Sequence, residues 1–297
     1  MPLRNSFSIL FCNFKLVFKL LIFILIIVLI ATAIVFSILG PVFNQLFDHV
    51  REAFVTSPDE IVRHPILAVQ NILKLFTIYF AQNASYINMR LVFVSLIIIF
   101  TRFLINLPLI PINKIMYSKL TTNFDQGLLN AVISTLPISL LYSLLTSVVL
   151  GIVDFAIGFG LIFLATWLIQ AIGFIALPIS LALALFIYTL RFSLLSQWLP
   201  EIAKNGEKNI FIALKHSFTP LFKNFEKNFI CLSVSTIIFI SIILGTIIPT
   251  FGLVPVLMLP TFIVFYITLN ITLNFSFYRK KYFIDNGVTI YNPTKLF

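Results

Sequence analysis

Charged side chains are scarce in this chain of 297 residues: Asp, Glu, Lys and Arg make up 10%, with 20 basic and 10 acidic residues. Soluble domains carry about 25%, so a water-solvated globule is excluded. Only two cysteines occur, Cys12 and Cys231. They lie at the edges of different apolar runs with no CxxC and no second ligand nearby, which supports neither a disulfide framework nor a metal site. His49, His64 and His216 are scattered, without HExxH or any pair at ligand spacing. Carboxylate pairs for acid–base work are missing, because Asp59-Glu60 reads as helix-start charge. No Gly-rich strand–turn–helix loop offers a phosphate cradle, so no cofactor is expected and the chain is read as non-enzymatic. What it has in abundance is apolar surface: 60% hydrophobic residues and 34 Phe, with a mean hydropathy of +1.08.

From Ala131 to Leu199 the only charges are Asp154 and Arg191. No soluble core helix is that long and that apolar, so the fold class is all-α, a polytopic transmembrane helical bundle. Arg4, Lys15 and Lys19 precede the first run, Leu20 to Leu39, whose length favours an uncleaved span with the N-terminus in the cytoplasm. A second span is expected from Arg90 to Leu107, stopped by Pro108 and Pro111. A third runs from Leu128 to Gly151, with Asp154 marking an outer turn. The forty-five residues from Phe155 to Leu199 would extend about 65 Å as one helix, twice the hydrocarbon thickness. They form either two spans turning near Gly173 to Pro178 or one span kinked at Pro178, with Gly158-Phe159-Gly160 as a break or a close helix contact. Phe229 to Pro249 and Leu257 to Phe277 complete the bundle.

Charge favours six spans over seven. With six, sixteen Lys and Arg lie inside, and four, Arg51, Arg63, Lys74 and Arg90, lie outside. Seven spans put the most basic loop on the wrong side. The chain is thus one integral membrane domain over residues 1–297, with an extracytoplasmic amphipathic cap at 41–89, a basic cytoplasmic connector at 200–227 and a cytoplasmic tail at 278–297. In the cap, Ser57-Pro58-Asp59-Glu60 reads as a helix start. Val42, Leu46, Val50 and Phe54 form one apolar stripe, and Ile66, Val69, Leu73, Phe76 and Phe80 form another.

A weak internal repeat links Arg102-Phe103 with Arg191-Phe192, each at a span end followed by a short polar segment and re-entry of the chain. In the second copy Leu214, Phe218, Leu221 and Phe225 share a helical face and four lysines are available to the other, as in a helix lying on the inner leaflet. The run from Arg191-Phe192 through Pro200-Glu201-Ile202 to Ala213-Leu214-Lys215-His216-Ser217 resembles the connector of the membrane domain fused to some bacterial glycerophosphodiester phosphodiesterases, and of related stand-alone membrane proteins. The resemblance implies a multi-span membrane domain near lipid metabolism or envelope homeostasis, without the hydrolase barrel.

Arg102 and Arg191 are the candidates for binding a ligand or lipid headgroup, although both lie near span ends, where snorkelling to phosphates as interface anchors is enough to explain them. Gln170, Asn270 and Asn274 are read as structural polar residues within spans; Asn270 and Asn274, four apart, share a face. Asn106 is a further polar span residue. The expected partners are membrane lipids, through anionic headgroups at the inner leaflet; a protein partner or a second copy is left open, and nucleic acid is not expected. The function so read is a bacterial plasma-membrane scaffold, accessory or lipid-interacting factor. The alternative is a transporter or permease component for a small anionic or lipid-derived substrate.

Overall fold

A computed structural model describes residues 2–56, 78–205, 209–247, 249–250, 252–284 and 290–291. The described chain is almost entirely helical: α1 (Pro2–Cys12), α2 (Phe14–Thr56), α3 (Ala84–Asn106), α4 (Leu109–Thr122), α5 (Leu128–Ile172), α6 (Ala176–Leu195), α7 (Trp198–Asn205), α8 (Ile210–Lys223), α9 (Phe225–Ile247) and α10 (Leu253–Tyr278). A two-residue ladder after α10 pairs β1 (Tyr282–Phe283) with β2 (Ile290–Tyr291). Six stretches are long and apolar enough to cross a membrane: Phe14–Asp48, Ala84–Thr122, Leu128–Ile172, Ala176–Lys204, Phe225–Ile247 and Leu253–Tyr278. The protein is a multi-pass all-α membrane bundle, and the expected six spans are met.

Several span boundaries differ from expectation, each for a physical reason. The first helix does not stop at Gly40 but runs through Pro41 to Thr56. A proline removes one backbone donor and loosens the turn before it. Within that turn the Arg90 guanidinium donates to the Ile38 carbonyl, a tie between α3 and α2 beside the proline; the carbonyl that loses its helical donor is that of Ser37. The second span begins earlier than Arg90, at Ala84. The largest correction concerns Asp154, which marks no turn. It sits within the unbroken 45-residue helix α5, which also passes through Gly158 and Gly160. The chain turns instead at Gly173, whose φ of +65° is open to glycine without strain. A short 3-10 turn, Gly173–Ile175, then leads into α6. Span number is unchanged because the turn has moved along the chain and none has been added. Gly158 lies beside the Tyr188 hydroxyl of α6 at an ordinary contact distance, since a Cβ there would stand 3.7 Å from it.

The chain resolves into two compact units, 1–25 with 103–297, and 26–102. In the second, Val42 and Leu46 are buried in a cluster with Tyr79 and Ile87, and Tyr79 donates to Gln45 at 2.9 Å. The Ser57–Glu60 helix start and the stripe from Ile66 to Phe76 lie outside the described residues, as does the side-chain placement of Val50 and Phe54. In the first unit the C-terminal half of α10 is the hub. Residues 267–275 are buried without interruption, which no single-faced surface helix achieves. Around this half pack α1, α4, α7 and α9, with β1 against α4. Phe7 of α1 meets Phe265 at 4.5 Å between ring centroids, Ser6 bonds Thr272 at 3.0 Å, and Asn5 donates to Tyr282 at 2.5 Å.

The repeat acquires a register. Arg102 and Arg191 stand 89 residues apart, and so do the first residues of the short helices that follow, Leu109 and Trp198, and the prolines in their first turns, Pro111 and Pro200. A proline at a helix start lacks only a donor that would be unpaired anyway. The two short helices, α4 and α7, pack on one another, and Asn113 of α4 donates to the Leu199 carbonyl of α7 at 2.6 Å. Beyond the prolines the copies diverge, since α8 follows α7 and nothing corresponding follows α4.

Candidate functional site

The site is a polar seam where the end of α6, the break that follows it and α7 meet α10. At its deep end the Tyr266 hydroxyl donates to the Phe192 carbonyl at 3.0 Å. Further along, Asn274 Nδ2 donates to Gln197 Oε1 at 3.1 Å and to Glu201 Oε1 at 3.0 Å. Tyr278 adds its hydroxyl to the same Glu201 oxygen at 3.0 Å. Lys204 closes the other side, its Nζ 3.4 Å from Glu201 Oε2 and 3.6 Å from the centroid of the Tyr278 ring. Asn270, Asn274 and Tyr278 recur every four residues on one face of α10. Ser193 of α6, Gln197 in the break after it and Glu201 of α7 are the buried polar residues on the other side, of which Gln197 and Glu201 bond that face.

Glu201 is wholly buried, at 0% exposure. A carboxylate so placed must be compensated by hydrogen bonds and opposite charge. Two neutral donors and one ammonium supply that compensation. The seam also contains buried polar atoms with no hydrogen bond: Ser193 Oγ, Gln197 Nε2, Asn274 Oδ1 and both amide atoms of Asn270. Asn270 stands within hydrogen-bonding reach of the Tyr266 side chain, at the limit of good geometry. Among the described residues no three of His, Cys, Asp and Glu come together as a metal site would require.

The residues singled out by sequence fall into separate places. Arg191 is held by Asp154 across the α5–α6 hairpin: its Nη2 donates to Oδ2 at 2.9 Å, and its Nε lies 2.7 Å from Oδ1. The side chains are 17% and 20% exposed. This fork-to-fork pairing is why a span can carry an acid in its middle. Arg102 is half-buried just before the last turn of α3 and belongs to the second compact unit. Asn270 and Asn274 stand in the seam. Gln170 is exposed near the end of α5. Asn106 donates to Thr146 at 3.0 Å and ties α3 to α5. Cys12 is exposed and Cys231 buried.

Sequence reasoning passed over Glu201 as a site residue. Its signal was available: an acid four residues beyond Gln197, on a short helix entered from an apolar span, in a chain with few acids. The expected apolar face of α8 is also corrected. Ile210, Ala213, Ser217, Pro220 and Leu221 are the buried side, because small residues at 213 and 217 allow close approach. Phe218 points outward with Phe211 and Phe222, at 41%, 56% and 66% exposure. Trp198 fastens the start of α8 by donating its Nε1–H to the Ile210 carbonyl at 3.0 Å.

No protein-family model, curated protein or solved structure matches this chain.

Proposed function

We propose that the protein is a non-enzymatic, lipid-interacting integral protein of a bacterial plasma membrane, acting as a scaffold or accessory factor in envelope homeostasis. Both termini face the cytoplasm, and the end built around the C-terminal half of α10 engages the anionic inner leaflet. One observation carries the reading. The short helices α1, α4 and α7, with α8 following, gather at that end together with the starts of α2 and α9 and the residues after α10. Among their described residues are twelve Lys and Arg, against Asp125, Glu201 and Glu226. Such an excess is what the positive-inside bias and anionic headgroups select. The outward face of α8, with Lys215 among Phe211, Phe218 and Phe222, has the composition of an interfacial helix. Glu201 serves this end as a fastening for α7, not as a reacting group. The likeness of the Arg191–Ser217 run to the membrane domain of glycerophosphodiester phosphodiesterases accords with a place near lipid metabolism.

Orientation and lipid preference test the reading separately. A cysteine at His216, in a background lacking Cys12 and Cys231, stays unlabelled by an impermeant maleimide in intact cells and reacts once cells are opened; labelling in intact cells overturns the orientation. In proteoliposomes, spin-labelled phosphatidylglycerol is more strongly immobilised at the protein surface than phosphatidylcholine. Equal immobilisation overturns the lipid reading.

The duplicated span–break–helix unit favours a second reading, a permease component for a small anion, since parallel repeats are a transporter device. Uptake of glycerol phosphate by proteoliposomes, lost in Arg102→Gln with folding intact, would replace the first reading by this one.

A further inference from the structure

Two adjoining cavities in the first compact unit have complementary chemistry. The first, of about 260 Å³, is a half-open apolar groove between the N-terminal part of α2 and the starts of α4 and α5. Leu20, Phe23, Leu107, Ile112, Val132 and Leu136 supply its walls, and its only charged lining residue is Lys19. The second, of about 330 Å³, opens next to it and shares Leu16, Lys19 and Leu128. Its lining is mixed, polar and apolar in similar measure. Three lysines, Lys15, Lys19 and Lys119, line it along with Asp125 and Gln126. The backbone at Gly127 and Leu128, where α5 begins without a side-chain cap, also borders it.

We propose that these cavities form one binding site for a single anionic phospholipid, an acyl chain in the groove and the phosphate among Lys15, Lys19 and Lys119. The inference rests on the proposed lipid-interacting role and gives it a specific site. Three arguments carry it. An apolar groove that ends in a cluster of like charges matches an amphiphile and no simple ion or wholly apolar molecule. The order is also right: the groove runs between membrane-spanning helices, and the lysines lie at the basic end, where headgroups sit. Finally, each volume is near the lower bound of about 300 Å³ for ordinary ligand pockets, and joined they reach the usual range. Asp125 leaves the mouth cationic overall and offers an acceptor to headgroup hydroxyls, which a glycerol headgroup has. The uncapped start of α5 adds backbone donors to the phosphate side.

The test uses the full chain in nanodiscs of equal phosphatidylglycerol and phosphatidylethanolamine, released gently into a native mass spectrometer. One phosphatidylglycerol per protein is retained. K15Q/K19Q/K119Q lowers that retention roughly a hundredfold, from the loss of about 1 kcal/mol of attraction for each of the three cations at the headgroup level. Leu136→Trp, which fills the groove and leaves every lysine in place, abolishes it. Leu136 is 46% exposed, so the larger ring is accommodated, and unchanged thermal unfolding midpoints certify both variants. Millimolar inorganic phosphate does not displace the lipid. Retention unaltered by either variant, or preferential retention of phosphatidylethanolamine, overturns the proposal. So does displacement by phosphate alone, which identifies an ion site with no role for the chain. Loss of the site with preferential immobilisation of phosphatidylglycerol at the protein surface intact leaves the broader role standing; loss of both removes the role as well.

Discussion

Asp154 and Arg191 illustrate how single residues were read by sequence and how packing changes their meaning. Alone in an apolar run, a carboxylate points to a turn in water and an arginine to an interface. Paired across a hairpin, each removes the reason to leave the span. Asp154→Asn or Arg191→Gln leaves the remaining charge uncompensated at low exposure and is expected to cost about 3 kcal/mol. The exchange Asp154→Arg with Arg191→Asp restores most of the loss, measured as thermal midpoint in detergent. In the seam, two asparagines of one helix face behave differently. Asn274→Leu removes two hydrogen bonds and one of Glu201's donors, at a cost of about 1–3 kcal/mol. Asn270→Leu gives up only a contact with Tyr266 at the limit of hydrogen-bond geometry and is expected to cost less than Asn274→Leu. Equal losses in both would show that Asn270 is held by a partner in the membrane. Sequence placed these two asparagines on one face correctly, since that follows from helical period alone. It missed Glu201, whose burial depends on Tyr278 and Asn274, more than seventy residues away.

Helices were more legible than their ends. Apolar length and charge parity identify six spans, because both are one-dimensional properties that the bilayer enforces. The turn at Gly173 and the passage of α2 through Pro41 were hidden because a helix end is decided by which backbone groups find partners, and those partners come from other helices. The α7 helix is a case in point. It has eight residues, too few to be stable alone, and it is fixed by Glu201 to α10, by Trp198 to α8 and by Asn113 of α4. Glu201→Ala frees Asn274, Tyr278 and Lys204 together, whereas Glu201→Gln keeps an acceptor for the first two. Hydrogen exchange in α7 is therefore expected to accelerate strongly in Glu201→Ala and modestly in Glu201→Gln, with α5 unchanged. Uniform acceleration in every helix would instead mean that the carboxylate supports the whole bundle.

At the scale of the molecule, polar and charged groups are gathered at one end of the first unit, and length is distributed unevenly. At 1.5 Å per residue α5 measures about 67 Å, and α9 about 35 Å. A hydrocarbon layer of about 30 Å fits α9 and not α5. Thermal stability in bilayers of increasing acyl chain length is accordingly expected to rise towards the longer chains, because mismatch costs a fraction of a kcal/mol per Å. A maximum at the shortest chains would show that the far half of α5 is covered by protein. The same inequality has a mechanical side. Lipids beside the far half of α5 must stretch to cover it, whereas those beside α9 need not. The bilayer around the protein is then strained unevenly, and the strain falls as its lipids lengthen.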